Sequence, residues 1–114
     1  MAEQKSPPAK TELVFNRLKG YARDMRTVTY GDLAHATALA SFGMGAQLGY
    51  LRDSICRVRG LPWLNALAVN GETLRPGESY LPTGMAATEE DEVFWRGMVL
   101  QVYAYDWSKV SFEE

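Results

Sequence analysis

The sequence predicts a mostly helical α+β domain of the winged helix-turn-helix type, in which three helices precede a β-hairpin wing. Three observations predict this fold. The first 60 residues hold three helix-like segments, a strand-like run ending in Asn70-Gly71 follows them, and 114 residues suit a single hydrophobic core. We therefore expect a flexible tail at residues 1–9, one domain at 10–114, and a C-terminal helix or strand packed on the core.

The first two helices are predicted from apolar spacing and from a capping signal. A helix is expected from about residue 10 to 25, because apolar side chains recur there at three- and four-residue steps. These side chains are Val14, Leu18, Tyr21 and Met25. A short second helix is expected from about Tyr30 to Leu39, since Thr29 can accept a hydrogen bond from the backbone N–H of Asp32.

The third helix is the predicted reading element. Apolar residues repeat at steps of 4, 3, 4 and 3 through Met44, Leu48, Leu51, Ile55 and Val58. The opposite side is expected to expose Gln47, Tyr50, Asp53, Ser54 and Arg57. Such a face suits a recognition helix, although any half-buried helix shows the same pattern and Asp53 would repel phosphate.

The wing is predicted from a turn signal between two short β-prone runs. A strand is expected from Trp63 to Asn70, and Glu72 to Leu74 should return antiparallel to it. Asn70-Gly71 supplies the turn, because both central residues of a type I′ turn need a positive φ.

The final apolar run, from Val93 to Trp107, is expected to pack back onto the core. Phe94, Met98, Val102 and Tyr105 fit helical spacing, whereas residues 99–105 also alternate as a strand would. The aromatic residues of this run exceed what a small core needs, and exposed aromatic residues are typical of interfaces. They are Phe94, Trp95, Tyr103, Tyr105 and Trp107.

Composition excludes several functional classes. The net charge of −2 divides into +4 over residues 1–60 and −6 over residues 61–114, so the N-terminal half is the half suited to phosphate. A single cysteine, Cys56, permits no internal disulfide and suits a reducing cytoplasm. No metal-ligand spacing, cofactor fingerprint, signal peptide or membrane-length segment is found, so no metal, cofactor or membrane partner is expected.

Three short motifs carry a family resemblance over roughly residues 10–80. They are Thr29-Tyr30-Gly31-Asp32-Leu33-Ala34, Leu48-Gly49 and Leu61-Pro62-Trp63-Leu64. Together they resemble the C-terminal domain of the alkylguanine-DNA alkyltransferases and of the alkyltransferase-like proteins. The resemblance implies a winged helix that binds the DNA minor groove with its third helix, and it implies that Tyr30 matches the tyrosine that helps to rotate a damaged base.

The same resemblance implies that no alkyl group is transferred. The family's proline-cysteine-histidine-arginine motif falls on Asn65-Ala66-Leu67-Ala68, so Ala66 occupies the position of the nucleophilic thiol. Ala46 occupies the position of the arginine that displaces the base. Without a residue that fills the vacated stack, base flipping is disfavoured, unless Gln47 or Tyr50 takes that place.

Two functional hypotheses follow, and neither is enzymatic. In the first, the chain is a DNA-binding protein, either alkyltransferase-like or regulatory. Helix three would read a groove, basic side chains such as Arg26 would hold phosphates, and the wing would touch the DNA backbone. The predicted DNA-binding residues are Tyr30, Gln47, Tyr50, Arg52, Ser54, Arg57, Arg59, Asn70 and Gly71. In the second, the C-terminal aromatic segment binds a protein partner or a second copy of the chain.

Overall fold

The computed structural model describes residues 10–38, 44–74 and 89–112, and it is a mostly helical α+β structure. The predicted tail at residues 1–9 and the predicted helix end at Leu39 lie outside these ranges. The principal elements are α1 (Thr11–Arg23), β1 (Val28–Thr29), α2 (Tyr30–Thr37), α3 (Met44–Tyr50), a π-helical segment (Leu51–Cys56), α4 (Arg57–Arg59), β2 (Ala68–Val69) and α5 (Glu89–Ala104). Residues 44–59 form one uninterrupted helical run, which we call helix three.

Helix α1 buries the face that the sequence predicts, with one exception. Val14 and Leu18 are buried together with Phe15, which the spacing rule did not select. Met25 was predicted on the buried face, but its side chain is 67% exposed. The helix ends at Arg23, and Met25 adopts a φ of 54°, so its side chain leaves the helical face.

Helix α2 begins with the predicted cap. The Thr29 hydroxyl accepts a hydrogen bond from the backbone N–H of Asp32 at 3.0 Å, and the helix starts at Tyr30. Leu33, on the inner side of this helix, is fully buried. The helix stops at Thr37, because Ala38 turns the backbone into the left-handed region with a φ of 57°.

Helix three follows the predicted apolar pattern through its π-helical segment and departs from it after Cys56. Leu51 and Ile55 are buried as expected, but Val58 is 75% exposed, so its predicted burial is wrong. A π-helical turn contains more residues than an α-helical turn, and it therefore shifts the phase of the buried face. Val58 follows this segment and lies at the surface, whereas Arg52 and Cys56 follow the buried Leu48 at four-residue steps and face the interior.

The two strands pair in a way that corrects the predicted wing. Strand β2 pairs in parallel with β1, in a register that places Val28 opposite Ala68 and Thr29 opposite Val69. Residues 64–67, predicted as strand, form a 3-10 helix instead. Both faces of β2 are buried, as is usual for parallel strands, and β1 supplies the partner that the sequence assigned to residues 72–74.

The segment after β2 is a turn, so the predicted antiparallel strand from Glu72 to Leu74 is wrong. The Asn70 side-chain oxygen accepts hydrogen bonds from the backbone N–H groups of Glu72 (2.8 Å) and Thr73 (3.2 Å). The Leu74 N–H donates to the Asn70 carbonyl at 2.7 Å. The asparagine therefore stabilises a local turn, and these residues form no hairpin.

Helix α5 settles the alternative left open for residues 99–105, since it continues to Ala104. Trp95, Met98, Val99 and Val102 form its buried face, and Trp95 donates its indole N–H to the Ala66 carbonyl at 2.8 Å. Phe94 and Tyr105, which helical spacing had grouped with Met98 and Val102, are 46% and 41% exposed. No described helix is both long enough and apolar enough to span a membrane.

Candidate nucleic-acid interface

Two predicted DNA contacts on helix three are buried, so the exposure expected of them is not found. Gln47 is 5% exposed, and its side-chain oxygen accepts a hydrogen bond from the Thr11 hydroxyl at 2.6 Å. Arg52 is 8% exposed, and it follows the buried Leu48 by four residues, which places both on one side of the helix. Neither side chain can reach a DNA groove without leaving the core.

Arg52 instead neutralises Asp53, the residue expected to repel phosphate. Two parallel hydrogen bonds join the guanidinium to the carboxylate, at 2.8 and 2.7 Å. Arg57 approaches the same carboxylate at 3.4 Å. The hydrogen bond and charge of Arg52, followed by those of Arg57, hold the pKa of Asp53 below its ordinary value, while burial opposes the shift. Asp53 therefore stays ionised between two cations, and its charge is balanced locally.

Among the predicted contacts on helix three, Arg57 is the one that lies at the surface. Its side chain is 50% exposed, and its guanidinium lies 6.0 Å from the centre of the Trp63 ring. Trp63 makes an edge contact with Phe94, with ring centres 5.7 Å apart. Asp53, Arg57, Trp63 and Phe94 thus form a continuous series of contacts, which we call the Arg57 row.

Neither Trp63 nor Phe94 was expected at the DNA interface from the sequence. Trp63 precedes the 3-10 helix and Phe94 lies on α5, so no helical or strand periodicity relates them to Arg57. The Trp63 backbone N–H donates to the Met98 sulfur at 3.2 Å, which ties the position of Trp63 to that of α5. Only the packing of α5 could have revealed this part of the site.

The remaining contacts predicted on helix three have other local roles. Tyr50 packs against the core and is half-buried, as is Ser54. Arg59 donates hydrogen bonds to the backbone carbonyls of Ser111, at 2.6 Å, and of Phe112. Arg59 thus ties the end of helix three to the C-terminal segment.

The predicted contacts outside helix three meet at the start of α2. The parallel register places Val69 opposite Thr29, so the Asn70-Gly71 turn emerges beside Tyr30. A Cβ atom at Gly71 would lie 3.9 Å from the Thr29 Cβ. The turn therefore abuts the α2 N-terminus, where Tyr30 is half-buried against the core.

Two positions that bear on nucleophilic chemistry lie in the core: Ala66, which the resemblance aligns with the nucleophilic thiol, and the cysteine Cys56. Ala66 is fully buried, and so is Cys56. Burial raises the pKa of the Cys56 thiol to about 11, although a backbone hydrogen bond from Leu64 and the charge of Arg59 oppose the shift. The thiol is protonated at neutral pH and is therefore a poor nucleophile. Across the described ranges, no three His, Cys, Asp or Glu residues are placed to hold a metal ion.

The chain matches no family model, no curated protein and no solved structure. The resemblance to the alkyltransferase family consequently stays a prediction from its short motifs.

Proposed function

We propose that this chain is a non-enzymatic DNA-binding protein that contacts a duplex with the exposed side of helix three. The observation that carries the proposal is the Arg57 row, in which Arg57 lies at the surface between the Asp53 carboxylate and the Trp63 ring. Arginine is suited to both phosphate and guanine, because its planar guanidinium donates in a fixed geometry. A stacked and ion-paired guanidinium loses less side-chain entropy on binding than a mobile one.

The charge balance around Asp53 supports the same proposal. An isolated carboxylate on a recognition helix would repel the phosphate backbone, whereas Asp53 is matched by Arg52 and Arg57. The exposed side of helix three therefore presents Arg57 to DNA without an opposing net charge. Asp53 lies in a π-helical segment, a feature often found at functional sites.

A second contact region is proposed at the junction of α2 and β2. Tyr30, Asn70 and Gly71 lie together there, and Arg26 is exposed nearby in the chain, with its guanidinium 5.8 Å from the Tyr21 ring. The family resemblance would give Tyr30 a role in rotating a base. On this proposal the turn touches the DNA backbone in place of a hairpin wing, in an alkyltransferase-like or a regulatory DNA binder.

The proposal assigns no catalysis to the chain. It is supported by the buried, protonated Cys56 thiol and by Ala66, an alanine at the position that the resemblance assigns to the nucleophile. A cytoplasmic location is proposed with it, since a lone thiol suits a reducing compartment.

The test is fluorescence-anisotropy binding of a random-sequence duplex to wild type, Arg57→Gln and the matched control Arg17→Gln. Arg17 is an exposed arginine of α1 that lies outside the Arg57 row. We expect Arg57→Gln to weaken binding about tenfold, equivalent to about 1.4 kcal/mol, while the control changes it little. Equal losses in both variants would refute a specific role for helix three, and an absence of binding at low salt would refute DNA binding.

A second candidate function is association through α5, and exposed apolar side chains favour it. Val93 and Leu100 are each 66% exposed and lie seven residues apart, hence on one side of the helix. Trp95 and Trp107, counted among the interface aromatics from sequence, belong to the core instead. Sedimentation and a pull-down test this candidate. A dimer that the Leu100→Lys substitution dissociates would support it, whereas a strict monomer that captures no partner in the pull-down would exclude it.

A further inference from the structure

A cleft of about 470 Å³ lies between α1 and the C-terminal 3-10 turn Trp107–Lys109. Its volume falls in the range of small-molecule sites in proteins. It is separate from the Arg57 row, and none of the predicted DNA contacts lines it. Three kinds of side chain meet in it: two cations, a group of aromatic rings and a carboxylate.

The cations come from successive turns of α1. The Lys19 ammonium donates to the Val110 carbonyl at 2.6 Å and lies 5.2 Å from the Phe15 ring centre, so its position is fixed while two further N–H donors remain. Arg23, one turn further on, is 79% exposed and pairs with Asp24 only through Nε, at 3.3 Å. Both side chains can therefore donate to an anion that enters the cleft.

Gly20 lies between these cations and leaves the cleft wall open. A Cβ at this position would meet no other atom within 4 Å, apart from its chain neighbours and the helix backbone. The backbone of α1 is consequently approachable by a flat ligand at this point.

The aromatic side of the cleft is built around the buried Trp107. Tyr105 and Trp107 lie with ring centres 4.9 Å apart, and the Trp107 indole N–H donates to the Val102 carbonyl at 2.8 Å. Trp107 is 5% exposed, whereas Tyr105 is 41% exposed and offers part of its ring to a ligand. Tyr103 adds a half-buried phenol, whose pKa is raised by burial so that it stays neutral. A planar ring can stack here without repulsion from a phenolate.

The carboxylate belongs to Asp106, which lies between Tyr105 and Trp107 in the sequence. One of its oxygens, Oδ1, accepts hydrogen bonds from the Ser108 N–H (3.0 Å) and hydroxyl (2.6 Å). These bonds hold the pKa of Asp106 below its ordinary value, so the group is ionised at neutral pH. The second oxygen, Oδ2, is an acceptor suited to sugar hydroxyls, as acidic residues are in dinucleotide sites.

We propose that this cleft binds a nucleoside monophosphate, with the base on Tyr105, the phosphate at Lys19 and Arg23, and the ribose hydroxyls at Asp106. Each part of the ligand meets the matching chemistry, because rings stack on rings, guanidinium and ammonium groups bind phosphate, and a carboxylate accepts from hydroxyls. A bare aromatic acid would leave Asp106 unused, and inorganic phosphate would leave the rings unused. The proposal does not depend on DNA binding by helix three.

The test is an NMR titration of the ¹⁵N-labelled protein with adenosine 5′-monophosphate. We expect the Gly20 amide and the Trp107 indole resonances to shift saturably, with a Kd below about 1 mM. Adenosine and inorganic phosphate should each bind at least about tenfold more weakly, since each satisfies one side of the cleft. The 2′-deoxy nucleotide should bind more weakly than the ribonucleotide if Asp106 holds the ribose.

Two variants distinguish the cleft from a general attraction of anions. Arg23→Gln is expected to weaken nucleotide binding about tenfold, whereas Arg17→Gln, on the same helix but outside the cleft, should leave it unchanged. Asp106→Asn should remove the preference for the ribonucleotide. The proposal is overturned if the Gly20 and Trp107 resonances do not move, or if both arginine variants weaken binding equally.

Discussion

Asn65 is a polar side chain held in the core without a hydrogen-bond partner. Asn65 is 2% exposed, and neither its side-chain amide nitrogen nor its amide oxygen has a hydrogen-bond partner among the described residues. A buried unsatisfied amide costs about 1 to 3 kcal/mol. On the predicted strand, alternation would have placed Asn65 on the same face as Leu67 and Val69, but it could not show that the amide lacks a hydrogen-bond partner.

Replacing this amide with an apolar group of similar size should stabilise the protein. We predict that Asn65→Leu raises the free energy of unfolding by about 1 kcal/mol, measured by urea denaturation, because it removes the desolvation cost. The control Asn16→Leu, at an exposed position of α1, should change stability by less than about 0.5 kcal/mol. A clear loss of stability in Asn65→Leu would show that the amide has a partner in solution.

Cys56 gives a prediction of pH dependence. Folding raises the pKa of the thiol to about 11, from roughly 8.5 in an unfolded chain. The stabilisation from burying the neutral thiol is therefore complete below the unfolded value and is lost as the pH rises through the folded value. We predict that wild type loses roughly 1 to 3 kcal/mol relative to Cys56→Ala between about pH 8.5 and 11. Parallel stability curves for the two proteins would contradict this.

At the scale of single elements, local signals predicted the starts of helices better than their faces. The Thr29 cap depends on neighbouring residues and is present in the structure, whereas the apolar steps of α1 hold at Val14 and Leu18 but fail at Met25. The exposure of Val58 follows the π-helical segment, which α-helical spacing does not encode. Arg52 follows Leu48 by four residues, so helical spacing already placed it on the buried side and only its charge suggested exposure. The candidate site was predicted least well on helix three, because two of its polar residues there are buried.

The cap of α2 offers a test at this scale. We predict that Thr29→Ala lowers the free energy of unfolding by about 1 kcal/mol, because the Asp32 N–H loses its acceptor. Thr27→Ala is the matched control, since Thr27 is an exposed threonine two residues earlier. Thermal unfolding of both variants, followed by circular dichroism, measures the difference. Equal stability of the two would mean that the cap adds nothing.

At the scale of the whole molecule, long-range pairing decided what local patterns could not. The Asn70-Gly71 signal predicted a hairpin, but β2 found its partner in β1, some 40 residues earlier in the chain. The coarse α+β class follows from element lengths and was predictable, whereas the strand partner depends on how α1 and α5 pack around the 3-10 helix at residues 64–67. The contacts of Trp63 with Arg57 and with Phe94 likewise depend on long-range packing.

This packing predicts cooperative unfolding. The core cluster contains Phe15 of α1, Leu67 of the 3-10 helix and Val102 of α5, so these elements should unfold together. Urea transitions followed by tryptophan fluorescence and by far-ultraviolet circular dichroism are expected to coincide. Separate midpoints would show that α5 unfolds independently of α1.

The measurement that tests DNA binding by helix three most directly is the salt dependence of duplex affinity for wild type and Arg57→Gln. Log affinity should fall linearly with log salt for wild type, because each phosphate contact releases counterions. If Arg57 holds a phosphate, the variant's slope should be smaller by about 1. A flat response in wild type, or identical slopes together with identical affinities, would contradict the account.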